Sequence, residues 1–185
     1  MARGRKPHSA LIIIDMINAL DFPEGRRLLR QAVPVAARIA SLKQRLKAAG
    51  IPAIYVNDNF THWLNDFDEL VAICSQDDAL GAPLVRTLPP EQDDYSVLKP
   101  QQSIFYNTPL EVLLRQLGVG TVVLTGIAGD ACVLASAFDA RMRKLDVVVP
   151  QDCIASISVQ RNRNALAVMK TMEVTVTTSA RLRIA

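Results

Sequence analysis

Uninterrupted aliphatic runs recur along the chain, and they constrain its fold more than any other feature. ALIIID (10–15), AIYVN (53–57), TVVLT (121–125), DVVV (146–149) and EVTVT (173–177) are apolar or β-branched rather than alternating. A strand with one wet face alternates, so these runs belong to a sheet covered on both faces. A shorter strand is expected near Val97 and Leu98. Between the first two runs, Leu28, Ala32, Val35, Ile39, Leu42, Leu46 and Ala49 recur at helical spacing, with Gly50 closing the helix and Pro34 kinking or restarting it. A second helix is expected from Thr108 as cap, with Pro109 in its first position and Glu111 completing a capping box. Further helices follow from Asp130 and from about Ser158. The alternation predicts a doubly wound α/β domain: a mainly parallel, six-stranded sheet with helices on both faces, binding its ligand at the carboxyl ends of the strands.

Composition agrees with one domain over residues 1–185. Half of the 185 residues are hydrophobic, enough to bury a sizeable core. The net charge of +3 is mild. Its main local excess, Arg3, Arg5 and Lys6, reads as a solvated tail rather than a nucleic-acid site. The apolar run at 10–14 ends at Asp15 and is too short for a signal peptide or a membrane span. Three cysteines without paired spacing argue for reduced thiols and a cytoplasmic location.

In such a fold the polar residues just past the strands carry the chemistry. Asp15 ends the first strand after four aliphatic residues, where a carboxylate must have a partner, a ligand or water. Asp58 follows the second strand, Lys99 the third and Cys132 the fourth. Cys132 falls in the first turn of a helix whose cap would be Asp130. Unpaired amides and the helix dipole there favour an anion, which would lower the thiol pKa towards neutrality. The blander alternatives are a small buried cysteine, a turn-capping Asp15, a solvated Lys99 and an Asp58 that supports its own loop. The two histidines, His8 and His62, are poorly placed for a Cys-His dyad.

Taken together, LIIIDMIN, LKPQQSIF and TGIAGDACV resemble the motifs of the isochorismatase-like cysteine hydrolases, in their order and at their separations. That family includes nicotinamidases, N-carbamoylsarcosine amidohydrolases and ureidoacrylate amidohydrolases. The resemblance spans nearly the whole chain. It implies a three-layer α/β/α fold with sheet order 3-2-1-4-5-6, and a catalytic Asp15, Lys99 and Cys132. It also implies an oxyanion hole formed by the amides of Ala128 and Cys132, beside a cis bond joining Ile127 to Ala128. The expected reaction is hydrolysis of the C–N bond of a small amide, ureido or carbamoyl compound through a thioester.

Departures from the family pattern bear on the substrate. The Asp-x-His metal motif of nicotinamidases is absent, because Phe60 stands two residues after Asp58, so neither a metal nor another cofactor is expected. Gly129 replaces a frequent threonine and is expected to leave the nucleophile loop roomier. Phe22, Asn59, Trp63 and Phe105 are the pocket candidates. A homodimer or homotetramer is expected, with no nucleic-acid or membrane partner. Three other readings stay open: a vinyl-ether hydrolase of the isochorismatase type, a non-catalytic ligand-binding member of the fold, and a redox thiol protein, which lacks a resolving cysteine near Cys132. GVG at 118–120 precedes a strand and is no dinucleotide fingerprint.

Overall fold

The computed structural model describes residues 8–183; the basic cluster of Arg3, Arg5 and Lys6 lies outside them. Seven strands and six helices alternate: β1 (His8–Ile14), α1 (Gly25–Ala48), β2 (Ala53–Asp58), α2 (Phe67–Cys74), α3 (Ala82–Thr87), β3 (Tyr95–Lys99), α4 (Leu110–Gln116), β4 (Val119–Ile127), α5 (Cys132–Met142), β5 (Asp146–Pro150), β6 (Ile154–Ala155), α6 (Val159–Lys170) and β7 (Thr175–Thr177). The sheet runs β3-β2-β1-β4-β5-β7, with the two-residue β6 paired beside the end of β4. Every pairing is parallel. The expected strand order therefore holds, and β6 is the addition to it. Two residues carry too little pattern to announce a strand.

The aliphatic runs are buried on both faces because the pleat sends alternate residues into two cores. Leu11, Ile13, Ala53, Tyr55 and Val123 join Leu28, Ala32, Ile39 and Leu42 of α1. Ala10, Ile12, Ile14, Ile54, Val56 and Leu124 meet Leu110, Leu114, Val133, Ala137 and Met169 of α4, α5 and α6. Each fully buried aliphatic side chain contributes about 1.5–3 kcal/mol relative to exposure.

Helix α1 continues through Pro34 rather than restarting there. It ends in a Schellman motif: Gly50 takes φ 77°, its N–H donates to Lys47 O at 2.8 Å, and that of Ile51 donates to Leu46 O at 3.0 Å. The capping box expected at Thr108 does not form. The Thr108 hydroxyl donates instead to Ile104 O at 2.6 Å, the helix starts at Leu110, and the Glu111 carboxylate pairs with Arg143 at 2.9 Å. A genuine capping box opens α2, where Asp66 and Glu69 each bond the other's backbone N–H at 2.9 Å.

A buried ionic clamp holds the chain entering β3. Lys43 of α1, 2 % exposed, contacts Asp94, the Glu91 carboxylate at 3.1 Å and the Tyr55 hydroxyl at 3.2 Å. Lys47 adds bonds to Glu91 and Asp94, both at 2.9 Å. The far end of β3 is Lys99, so this clamp sets the strand on which that ammonium is carried.

Candidate active site

β1 lies between β2 and β4, with Ile14 paired to Val56 on one side and Gly126 on the other. The chain leaves these two neighbours in opposite directions, opening a crevice past the strand ends. At Gly126 (φ 108°) a Cβ would fall 2.0 Å from Ile14 O, so only glycine lets the two strands approach there.

Asp15, directly past β1, takes a left-handed backbone (φ 54°), which short Asp and Asn side chains tolerate best. Its N–H donates to Val56 O at 3.0 Å, and its Oδ1 accepts from Asp58 N–H at 2.7 Å. The Lys99 ammonium lies 2.9 Å from Asp15 Oδ2 and donates to Cys132 Sγ at 3.6 Å. One ammonium thus holds both groups, placing carboxylate and sulfur within two hydrogen-bond lengths of each other. Asp15 is 4 % exposed and Lys99 1 %.

Burial raises the Asp15 carboxyl above its ordinary value against the opposing charge of Lys99. Burial works to lower Lys99, but the charges of Asp15 and Cys132 outweigh it and the net direction is up. The Cys132 thiol is pushed up to about 12, by burial first and by the Asp15 carboxylate second, with Lys99 pulling the other way. The expected depressed thiol is therefore corrected: lost hydration and a neighbouring carboxylate outweigh Lys99. At neutral pH the Cys132 thiol is protonated. Cys74 and Cys153 are fully buried, and burial raises their thiols to about 11 and about 12.

The loop that leads into Cys132 is fixed from several sides. The peptide joining Ile127 to Ala128 is cis. Ala128 O accepts from the N–H groups of Ala131 and Val133 at 3.0 and 3.1 Å. Among the described residues, no hydrogen bond leaves the N–H of Ala128 or Cys132. The Ser136 hydroxyl donates to Cys132 O at 2.6 Å and accepts from Ile104 N–H at 3.1 Å, tying α5 to the segment that follows Lys99. Asp130 does not cap α5. Its carboxylate pairs with Arg161 of α6, a charge-assisted contact that outcompetes a backbone amide, and its N–H donates to Ser156 Oγ at 3.1 Å. Gly129 leaves no spare room either. Its missing Cβ would lie 2.3 Å from Asn162 Oδ1, so the Asn162 amide fills the space the sequence suggested was open.

Asp15, Lys99, Ala128 and Cys132 line a cavity of about 310 Å³ together with Asn18, Phe22, Leu28, Asp58, Gln101 and Gln102. Of the four pocket candidates, Phe22 is part of this wall. Phe105 is 5 % exposed in the core, under the Arg143 guanidinium at 4.6 Å, and Ser103 beside it bonds Asp139 of α5. Asn59 is buried beside the wall, its Oδ1 accepting from Trp63 N–H at 2.7 Å. Trp63 is 63 % exposed and is not among the residues that line the cavity. Asn18, Leu28, Gln101 and Gln102 carried no signal of their own, although Gln101 and Gln102 stand directly after the lysine of LKPQQ. Among the described residues, no group of three or more His, Cys, Asp or Glu is disposed to hold a metal ion.

Residues 9–181 match the family model of the isochorismatase domain. The isochorismatase family protein YaaI of Bacillus subtilis is 37 % identical over 89 % of this chain and 90 % of its own. The ureidoacrylate amidohydrolase RutB of Methylobacterium radiotolerans is 33 % identical over 87 % of this chain and 72 % of its own. Among solved structures, N-carbamoylsarcosine amidase from Thermoplasma acidophilum superposes with a TM-score of 0.69 at 26 % identity, covering 96 % of this chain and 99 % of that one. The strand order, the crevice between β1 and β4 and these likenesses converge on one conclusion: the chain belongs to the isochorismatase family.

Proposed function

We propose that this protein is a cysteine hydrolase that cleaves the C–N bond of a small amide, ureido or carbamoyl compound through a thioester on Cys132. The observation that carries the reading is the Lys99 ammonium, which contacts Asp15 and Cys132 at once in a cavity of small-molecule size. Asp15 takes the thiol proton as Cys132 Sγ bonds to the carbonyl carbon. Its raised pKa makes it a better acceptor than an ordinary carboxylate. Lys99 stabilises the negative charge that develops on sulfur as the proton leaves, and once the C–S bond has formed the amides of Ala128 and Cys132 receive the oxyanion. The tetrahedral carbon collapses, the C–N bond breaks, and ammonia or an amine leaves with the proton from Asp15. A water gives its proton to Asp15 as it attacks the thioester; the acid departs and the proton returns to sulfur.

The test is an ammonia-release screen over small amides, ureido compounds and carbamoyl compounds. Turnover of at least one is expected, with a loss of roughly 10⁴-fold or more in Cys132→Ala. Undiminished turnover in that variant, or none by the parent protein, would sink the reading. Two coarser expectations accompany it. Exposed Trp63 (63 %) and Leu64 (85 %) form the kind of apolar patch that self-association covers, and three unpaired cysteines suit a reducing, cytoplasmic setting.

A further inference from the structure

We infer that Asp58 selects substrates whose non-reacting end is neutral or cationic and excludes those ending in a carboxylate, a conclusion that rests on the hydrolase reading of the same cavity. Three charged side chains line that cavity among the described residues: Asp15, Asp58 and Lys99. Two carboxylates face one ammonium, and the ammonium is already committed to Asp15 at 2.9 Å. No second Lys or Arg, and no His, stands among the lining residues to receive a substrate carboxylate. The anion-favouring amides at the start of α5 are assigned to the reacting oxygen.

Asp58 is held where it would discriminate. Its backbone N–H is fixed on Asp15 Oδ1 at 2.7 Å, and it is the register partner of Lys99 across β2 and β3, so it stands directly beside the reacting groups. Among the described residues its carboxylate makes no close ion pair or hydrogen bond, although its charge is felt by Lys99, and it lines the cavity where a ligand can reach it. The remaining walls are Phe22 and Leu28 on the apolar side and the amides of Asn18, Gln101 and Gln102 on the polar side. Those groups suit an uncharged chain ending in N–H or O–H donors. A ureido acid would instead press its carboxylate against that of Asp58, in a site where burial reduces screening.

Three ureas of matched size provide the test: (2-aminoethyl)urea, (2-hydroxyethyl)urea and ureidoacetate, which are cationic, neutral and anionic. Each is measured as a substrate of the full-length protein by kcat/KM, and as a ligand of the Cys132→Ala variant by calorimetry. The cationic and neutral compounds should bind, and turn over, about tenfold or more better than ureidoacetate, an ordinary size for one charge contact in a partly desolvated site. Asp58→Asn keeps the shape and the backbone N–H, and should bring the three affinities together; Asp58→Lys should reverse their order. Preference for ureidoacetate, an unchanged preference in Asp58→Asn, or no binding of any compound to Cys132→Ala would overturn the inference. The two readings separate cleanly. A charge preference in binding without turnover leaves the selection standing and removes the hydrolase, whereas Cys132-dependent turnover that favours ureidoacetate does the opposite.

Discussion

In the proposed reaction Asp15 is both a buried counter-ion and a proton acceptor, and the two roles pull its properties in one direction. Burial costs the charged form, which raises the carboxyl pKa; Lys99 offsets only part of that. Because the folded value lies above the unfolded one, Asp15 adds stability below the unfolded pKa, and that contribution is lost as pH rises through the folded value. Its ionised form is therefore held at a cost to the fold. Single substitutions Asp15→Asn and Lys99→Met should each destabilise by about 3–5 kcal/mol by stranding the other charge, and the double variant should recover a large part of the loss. Denaturant titration of the three proteins measures this cycle; strictly additive losses would mean that the pair is not coupled. The same shifts fix a pH profile. Activity in kcat/KM should fall on the acid side as pH drops through a carboxyl above the ordinary 3.8, and should hold through neutral pH because the thiol stays protonated until about 12. An acid limb below the usual carboxylate range would contradict the assignment of Asp15 as the base.

At the scale of elements, the nucleophile loop is held by side chains from α6 and from the segment before it. Gly129→Thr places a Cβ 2.3 Å from Asn162 Oδ1, so it should lower activity by at least about tenfold with little loss of secondary structure. Asn162→Ala in the same chain should restore part of it by vacating the space. Assay of the two variants beside the parent checks this, and an unaffected Gly129→Thr would show that the loop tolerates movement. This packing also marks the limit of what the sequence discloses. β1, β2 and β4 were legible because a strand buried on both faces writes itself as an aliphatic run. Asp15 was legible because a charge at the end of such a run needs a reason, whereas Lys99 follows the short, partly exposed YSVL and stood out through the LKPQQSIF motif. The fit of Gly129 against Asn162, 33 residues later in the chain, has no local signature. Phe105 misled for the same cause: an aromatic near a motif reads alike whether it faces the cavity or, as here, the core beneath Arg143. Asp130 lost its capping role to a distant cation, Arg161. Asp66 and Glu69, by contrast, carry the spacing of the capping box that opens α2 within the local sequence.

For the molecule as a whole, a doubly wound sheet gives three strand ends one meeting place, and the chemistry follows from what each end carries. The exposed Trp63 and Leu64 beside the β2 loop, 63 % and 85 % accessible, predict a dimer or tetramer by light scattering at micromolar concentration, and Leu64→Glu should weaken it. A parent protein that scatters as a monomer would leave that patch unexplained by self-association. The central claim, however, is that Cys132 becomes covalently joined to the acyl part of the substrate. Rapid acid quench during turnover, followed by intact-mass measurement and peptide mapping, tests it most directly. The account predicts a transient mass increase equal to the acyl group, located on the peptide containing Cys132 and absent from Cys132→Ala; continued turnover by that variant, or an adduct on Cys74 or Cys153 instead, would contradict it.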